Sequence, residues 1–457
     1  MSPLVFAAFQ GLSPNGTVGS SWRAAGNTQT DFLNVEHWVQ MAQKFEDGGF
    51  DFIFFADSFG YPTLNGELLP YALKGAVTVP MADPAIIVAA ITAQTKKIGV
   101  VITASTTVER PAVLARRLAT LDHFTNGRVG WNIVSGGALE SATALLGAEM
   151  IPHDERYAQA DEFLEICMQL WEGSWTDDAL RVDRENGVFA DPDGVRQVEF
   201  EGKYFRSKGI LTVPPSPQRT PYLLQAGTSV AGRDFAARNA EAVFVAGEPN
   251  VIAGNVTAIR DLAVSVGRSR DSIKFLVGAN FVVAETMEEA LIKRETMLGF
   301  ATLDHAATHF AWSTGVDLLA FELDEPLPEI HSEIGQTALD RFLLPDGTRP
   351  TVRSILEVWR QNGISGTTFV GTPTSIADEV EAFIAETGAD GFLVQQHITP
   401  ASHDDFNNLL GPELRARGLL RATDEGITLR EQVSGFGPHL PESHPGHALK
   451  FRRPTNV

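Results

Sequence analysis

Short apolar runs recur along this chain, each followed by a turn and usually by an amphipathic helix. Eight of them read as strands: 4–10 (LVFAAFQ), 50–57 (FDFIFFAD), 98–106 (IGVVITAST), 128–136 (RVGWNIVSG), 222–228 (YLLQAGT), 242–247 (AVFVAG), 273–284 (IKFLVGANFVVA) and 391–396 (GFLVQQ). They are apolar nearly throughout instead of alternating, which is the mark of strands buried on both faces of a parallel sheet. Helical patterns at 34–49, 111–127, 154–173 and 229–240 follow the first, third, fourth and fifth of them. This alternation predicts an α/β fold, a closed (β/α)8 TIM-like barrel in preference to an open doubly wound sheet.

We expect one barrel domain over 1–434 and a C-terminal tail over 435–457. Three insertions break the rhythm, at 58–84, 174–220 and 298–366. The first is loop-like and proline-rich, the second has charged turns and the strand-like QVEFEGKYF, and the third is partly helical. Insertions after barrel strands build walls over a site, so 58–84 and 298–366 are expected to shield one. The tail is rich in Pro and His and is expected to wrap over the surface or a neighbouring subunit, with His439, His444 and His447 solvated.

The formal charge of −21 makes nucleic acid and anionic membranes poor partners, because phosphate binding needs clustered positive charge. The single cysteine, Cys167, excludes an internal disulfide and falls in a helical pattern as a core residue. The opening MSPLVFAAFQGLSPNG has no basic stretch before its apolar run and reads as a first strand, not a signal peptide. No window is apolar enough for a membrane span. A cytoplasmic protein is expected.

Polar residues at strand ends are the candidate chemistry, because barrel sites lie at the C-terminal mouth. Asp57 ends the second strand and suits either a ligand's hydrogen bond or a turn. Thr103, in ITASTT, lets a flat ring approach, although Thr is also common in strands. Asn132 offers an amide that donates and accepts, and Ser135 precedes Gly136 and Gly137 in a turn that suits a phosphate or a plain βα connection. His153 and Tyr157 share one helix face at i, i+4 spacing, which fits a ligand clamp or an ordinary capped helix. Thr228 and Ser229 lie between a strand and a helix start, where backbone N–H groups and the helix dipole favour an anion.

Several chemistries find no support. Residues 227–233 resemble a Walker loop but carry Arg233 in place of Lys, and no GxGxxG is present. His305 and His309 lack the glutamate of HExxH and read as ordinary helix residues, so no metal set is expected. There is no GxSxG nucleophile elbow.

Taken in chain order, FFADSFG, IGVVITASTT, RPAVLARRLATLDHFTNGRVGWNIVS, HDERYAQADEFLEICMQLWEGSW, PPSPQRTPYLLQAGTSVAGRDFAARNAEAVF and GTPTSIADEVEAFIAETGADGFLV resemble the bacterial-luciferase-like flavin monooxygenases. The similarity is to the subgroup of nitrilotriacetate and dibenzothiophene sulfone monooxygenases, and the segments cover most of the chain. The resemblance implies reduced FMN bound at the barrel mouth, delivered by a separate NAD(P)H-dependent flavin reductase, with O2 activated as a flavin peroxide to oxygenate a small organic substrate. It implies Asp57 and Thr103 near the isoalloxazine or ribityl, Asn132 near the flavin ring, and Ser135, His153, Tyr157, Ser229 and Thr228 at the ribityl and phosphate. A homodimer or homotetramer is implied as well. Two readings on the same barrel stay open: hydride transfer by a flavin- or deazaflavin-dependent oxidoreductase, and a non-enzymatic flavin-binding protein. The stretch at 296–321 matches no substrate-specific pattern, so the substrate is not readable.

Overall fold

The computed structural model describes residues 3–15, 20–136, 140–147, 152–332, 339–340, 342–344, 346–362, 367–395, 397–421 and 424–453. Its main sheet contains β1 (Val5–Gly11), β2 (Phe52–Ala56), β3 (Gly99–Ser105), β4 (Val129–Val134), β5 (Tyr222–Gln225), β6 (Ala242–Val245), β7 (Lys274–Val283), β8 (Thr367–Gly371) and β9 (Gly391–Gln395). All of the expected strands are present. Every neighbour pair is parallel, in the order β6-β5-β4-β3-β2-β1-β9-β7, and β7 pairs back to β6. The sheet therefore closes into an eight-stranded α/β barrel. The additional strand β8 was not expected from the sequence. It continues the edge of β7 beyond β6: Lys274–Val277 pair with β6, whereas residues 279–283 pair with β8.

The helices that position the site are α1 (Val35–Gly48), α2 (Pro111–Phe124), α3 (His153–Gly173), α4 (Val230–Asn239), α5 (Pro249–Ser265), α6 (Leu303–Thr314), α7 (Pro373–Thr387) and α8 (Leu429–Ser434). Local chemistry sets their starts. Asn34 and Ser229 cap α1 and α4 through their side chains, and Pro111 occupies the first turn of α2, where its missing N–H costs nothing. The 174–220 insertion folds as two antiparallel hairpins, and the described residues within 303–356 gather around their own apolar cluster, including Phe310, Val352 and Ile355.

Inside the barrel lies an apolar floor made by Val5, Ala7, Phe52, Phe54, Val101, Tyr222, Leu224, Leu276 and Leu393. Leu429 and Val433 of α8 join it from the N-terminal end, so α8 plugs the bottom of the barrel. Glycine makes the room: a Cβ on Gly99 would come within 2.6 Å of Leu429 Cδ1. The plug is fastened by Arg430, which pairs with Glu241 at 2.6 Å and donates to the carbonyls of Thr220 and Pro221.

Beyond the plug, the tail packs onto α3 and α4, and this corrects the expected solvation of its histidines. His444 is 1% exposed, and its Nδ1 accepts from the Gly446 N–H, so its Nε2–H donates to Asn239 O at 2.9 Å. Burial lowers its pKa to about 4, and His447 bonds Leu440 O. Among the described residues, no helix is long and apolar enough to cross a membrane.

Candidate active site

Strand alternation carries the side chains that follow the apolar floor toward the C-terminal mouth. Two residues beyond Val101 of the floor stands Thr103, and two beyond Leu393 stands Gln395. Thr103 faces Asn132 across β3 and β4, and Asn280 faces Gln395 across β7 and β9. The barrel interior thus changes from apolar to amide-rich as it approaches the mouth.

Thr103 and Asn132 fix each other's orientation. The Thr103 hydroxyl donates to Phe55 O at 2.8 Å, a partner that only accepts. It must then accept from Asn132 Nδ2, 3.0 Å away, which turns Asn132 Oδ1 the other way. That oxygen is buried with no hydrogen-bond partner. Gln395, 0% exposed, has neither amide atom bonded. Buried polar groups are ordinarily satisfied, so these atoms are suited to a ligand that offers N–H and carbonyl groups between them.

The ends of β2, β3 and β4 open into a cavity of about 590 Å³, lined by Asp57, Met81, Thr103, Ser105, Thr107 and Gly136. Asp57 sits at the end of β2. Burial first, and then the nearby Asp83 carboxylate, raise its pKa to about 6. A smaller cavity of about 130 Å³ adjoins the first and shares Asp57, Ser58 and Met81 with it. Both expected wall segments reach the mouth: the 58–84 segment lines both cavities, and α6 of the 298–366 segment lines the smaller one.

A second cluster forms where α3 and α4 meet the ends of β4 and β5. Tyr157 receives a hydrogen bond from Gln225 Nε2 at 3.3 Å, and the hydroxyls of Ser135 and Ser229 also bond it. Burial raises its pKa, so it stays a phenol and can donate. Ser229 accepts from the Gly232 N–H as the cap of α4, which leaves its own proton to donate. Gly227 and Gly232 form the cradle. A Cβ on Gly227 would stand 2.1 Å from Tyr157 Oη, and one on Gly232 would stand 2.8 Å from it. Arg156 Nη1 donates to Gly136 O at 2.9 Å and ties the β4 turn to α3.

Of the residues singled out in the sequence, Asp57 and Thr103 line one cavity, and Asn132 bonds Thr103. Ser135, Tyr157 and Ser229 meet at one hydroxyl, and Thr228 lies between Gly227 and Ser229 of the cradle. His153 begins α3, but its side chain lies outside the described residues, as does Gly137. Sequence reasoning missed Gln225, Asn280 and Gln395. Their signal was an amide in a strand otherwise apolar on both faces. His305 and His309, read as ordinary helix residues, lie on α6 and line the smaller cavity.

The model of the luciferase-like monooxygenase family matches residues 17–391. The chain is 36% identical over 453 residues to a dimethyl-sulfide monooxygenase of Hyphomicrobium sulfonivorans, covering 98% of this chain and 94% of that one. It is 37% identical to a long-chain alkane monooxygenase of Geobacillus thermodenitrificans, covering 93% and 92%. In structure it is similar to a riboflavin lyase solved with modified FMN and riboflavin as substrate, at a TM-score of 0.92 and 39% identity, covering 99% of this chain and 100% of that one.

Proposed function

The chain belongs to the luciferase-like monooxygenase family and is an enzyme, and from that premise we propose that it is a two-component monooxygenase using reduced FMN. The observation that carries the reading is the combination of unpartnered amide atoms on opposite walls of the barrel, Asn132 Oδ1 and the Gln395 amide, with a glycine-cradled hydroxyl cluster at a helix start. A flavin needs both: an edge that exchanges N–H and carbonyl hydrogen bonds, and donors for a phosphate. The residues present therefore fit FMN.

When bound, reduced FMN supplies two electrons to O2, so that one oxygen atom enters the substrate and the other leaves as water. This chain's own residues then bind and orient. Asn132 Oδ1 accepts from the ring edge, and Gln395 offers an amide from the opposite side of the barrel. Tyr157, Ser135 and Ser229 donate to the phosphate end, with the first turn of α4 behind them and with Thr228 and His153 as further binders. Asp57, held partly protonated near neutrality, orders the junction of the two cavities. Phe59, Met81 and Ala82 supply apolar lining to the larger cavity. The reduced flavin comes from a separate reductase, a reading supported by the missing GxGxxG fingerprint.

The test is flavin affinity. Tyr157→Phe and Ser229→Ala are each expected to weaken FMN binding by about 1–3 kcal/mol, read by absorbance titration. Unchanged affinity in both would refute this phosphate site. A second reading, in which a flavin is itself the substrate, draws on the similarity to the riboflavin lyase at 39% identity.

A further inference from the structure

The smaller cavity is built by the ends of β1 and β2, the loop at 76–78 and one face of α6. Phe9, Ala56, Val77 and Met81 make its walls apolar, and among the described residues its lining includes no Lys or Arg. A carboxylate placed there would be buried without a counter-ion, which is costly. His305 and His309 add no charge, because burial lowers their pKa values to about 4 and about 3. Among the described residues, three that line this cavity each carry a polar atom buried without a partner: Ser58 Oγ, Thr78 Oγ1 and Trp312 Nε1. An indole N–H only donates, so its complement is an acceptor.

The loop that presents Thr78 is strained. Ala76 and Thr78 lie at φ 52° and 56°, a region that a β-branched residue rarely enters. Asn15 holds the loop there by donating to Gly75 O at 2.9 Å and Ala76 O at 2.8 Å. Strain of this kind persists where the surroundings impose it, and it clusters at binding sites. The volume of about 130 Å³ is close to the roughly 150 Å³ that holds a benzene-sized molecule.

Resting on the flavin reading above, we propose that this cavity is the substrate chamber. It takes a compact, uncharged organic molecule with a hydrogen-bond acceptor, held by the N–H of Trp312 and the hydroxyls of Ser58 and Thr78. Because the cavity shares Asp57, Ser58 and Met81 with the larger one, the apolar end of such a molecule abuts the flavin space. On this proposal polycarboxylates and flavin-sized molecules are not substrates, so it stands with the monooxygenase reading and against the second one.

Calorimetry on FMN-saturated protein tests this with four probes: cyclohexanone, its acceptor-free analogue methylenecyclohexane, citrate and riboflavin. Cyclohexanone is expected to bind saturably and more tightly than the other three. Trp312→Phe should weaken cyclohexanone about 3–10-fold while leaving methylenecyclohexane and FMN unchanged. If that variant does not fold, Thr78→Val carries the same expectation. The inference is overturned if cyclohexanone gives no saturable binding, if citrate or riboflavin binds as tightly, or if the folded variant binds all four probes like the wild type. Failure of the wild type to bind FMN in the preceding absorbance titration would instead sink the flavin reading.

Discussion

Thr103 shows how one hydroxyl sets the chemistry of its neighbour. Its bond to Phe55 O uses its proton, so Asn132 must present Nδ2 to it, which leaves Oδ1 buried and unpartnered among the described residues. Asp57 has a comparable consequence in pH. Burial and Asp83 raise its pKa from 3.8 to about 6, so the folded chain favours the acid form. The stability this confers is fully present below pH 3.8 and is lost as pH rises through about 6. Asp57→Asn should therefore flatten the fall in stability over that window. It should also raise stability at neutral pH by about 1–3 kcal/mol, read by thermal denaturation across the pH range. Individual site residues were legible in the sequence where a polar side chain ends a strand, as with Asp57, Thr103 and Asn132. Gln395 escaped because GFLVQQ reads first as an apolar strand, and only the register with Asn280 shows it facing the interior.

Elements were more legible than residues. Uninterrupted apolar runs gave the barrel strands, and Asn34, Pro111 and Ser229 marked helix starts. β8 escaped because five residues, TTFVG, differ little from a turn, and their pairing depends on the distant overhang of β7. The insertion helix α6 was legible as a helix. Its role was not, because the contacts of His305, His309 and Trp312 are with strand ends far away in sequence. At this scale the cradle between α3 and α4 makes an ordered prediction. A methyl at Gly227 would fall 2.1 Å from Tyr157 Oη and 2.3 Å from Gln225 Nε2, so both side chains must move. Gly227→Ala should weaken FMN binding more than Tyr157→Phe does, because it displaces a ring and an amide instead of deleting one hydroxyl. An affinity equal to wild type in the same titration would show that the cradle does not hold the flavin.

The whole molecule is a barrel closed at one end and open at the other. Its floor is apolar and plugged by α8, its mouth is polar, and the insertions wall the mouth. The plug was not legible, because Leu429 sits in a short helix and packs on Gly99 and Gly130, about three hundred residues away in sequence. Leu429→Ala should lower stability by about 2–5 kcal/mol in urea denaturation, the cost of a cavity at a 0% exposed site. It should leave FMN affinity unchanged, because the plug and the mouth lie at opposite ends of the barrel. Polar mouth and walled cavities together make the central claim, that the enzyme couples reduced flavin to oxygen insertion. The direct measurement is a reductase-coupled reaction with FMN and a compact neutral substrate under isotopically heavy dioxygen, read by mass spectrometry. The account predicts one heavy oxygen atom in the organic product and none formed under argon. Equal product under argon, or product without the label, would contradict it.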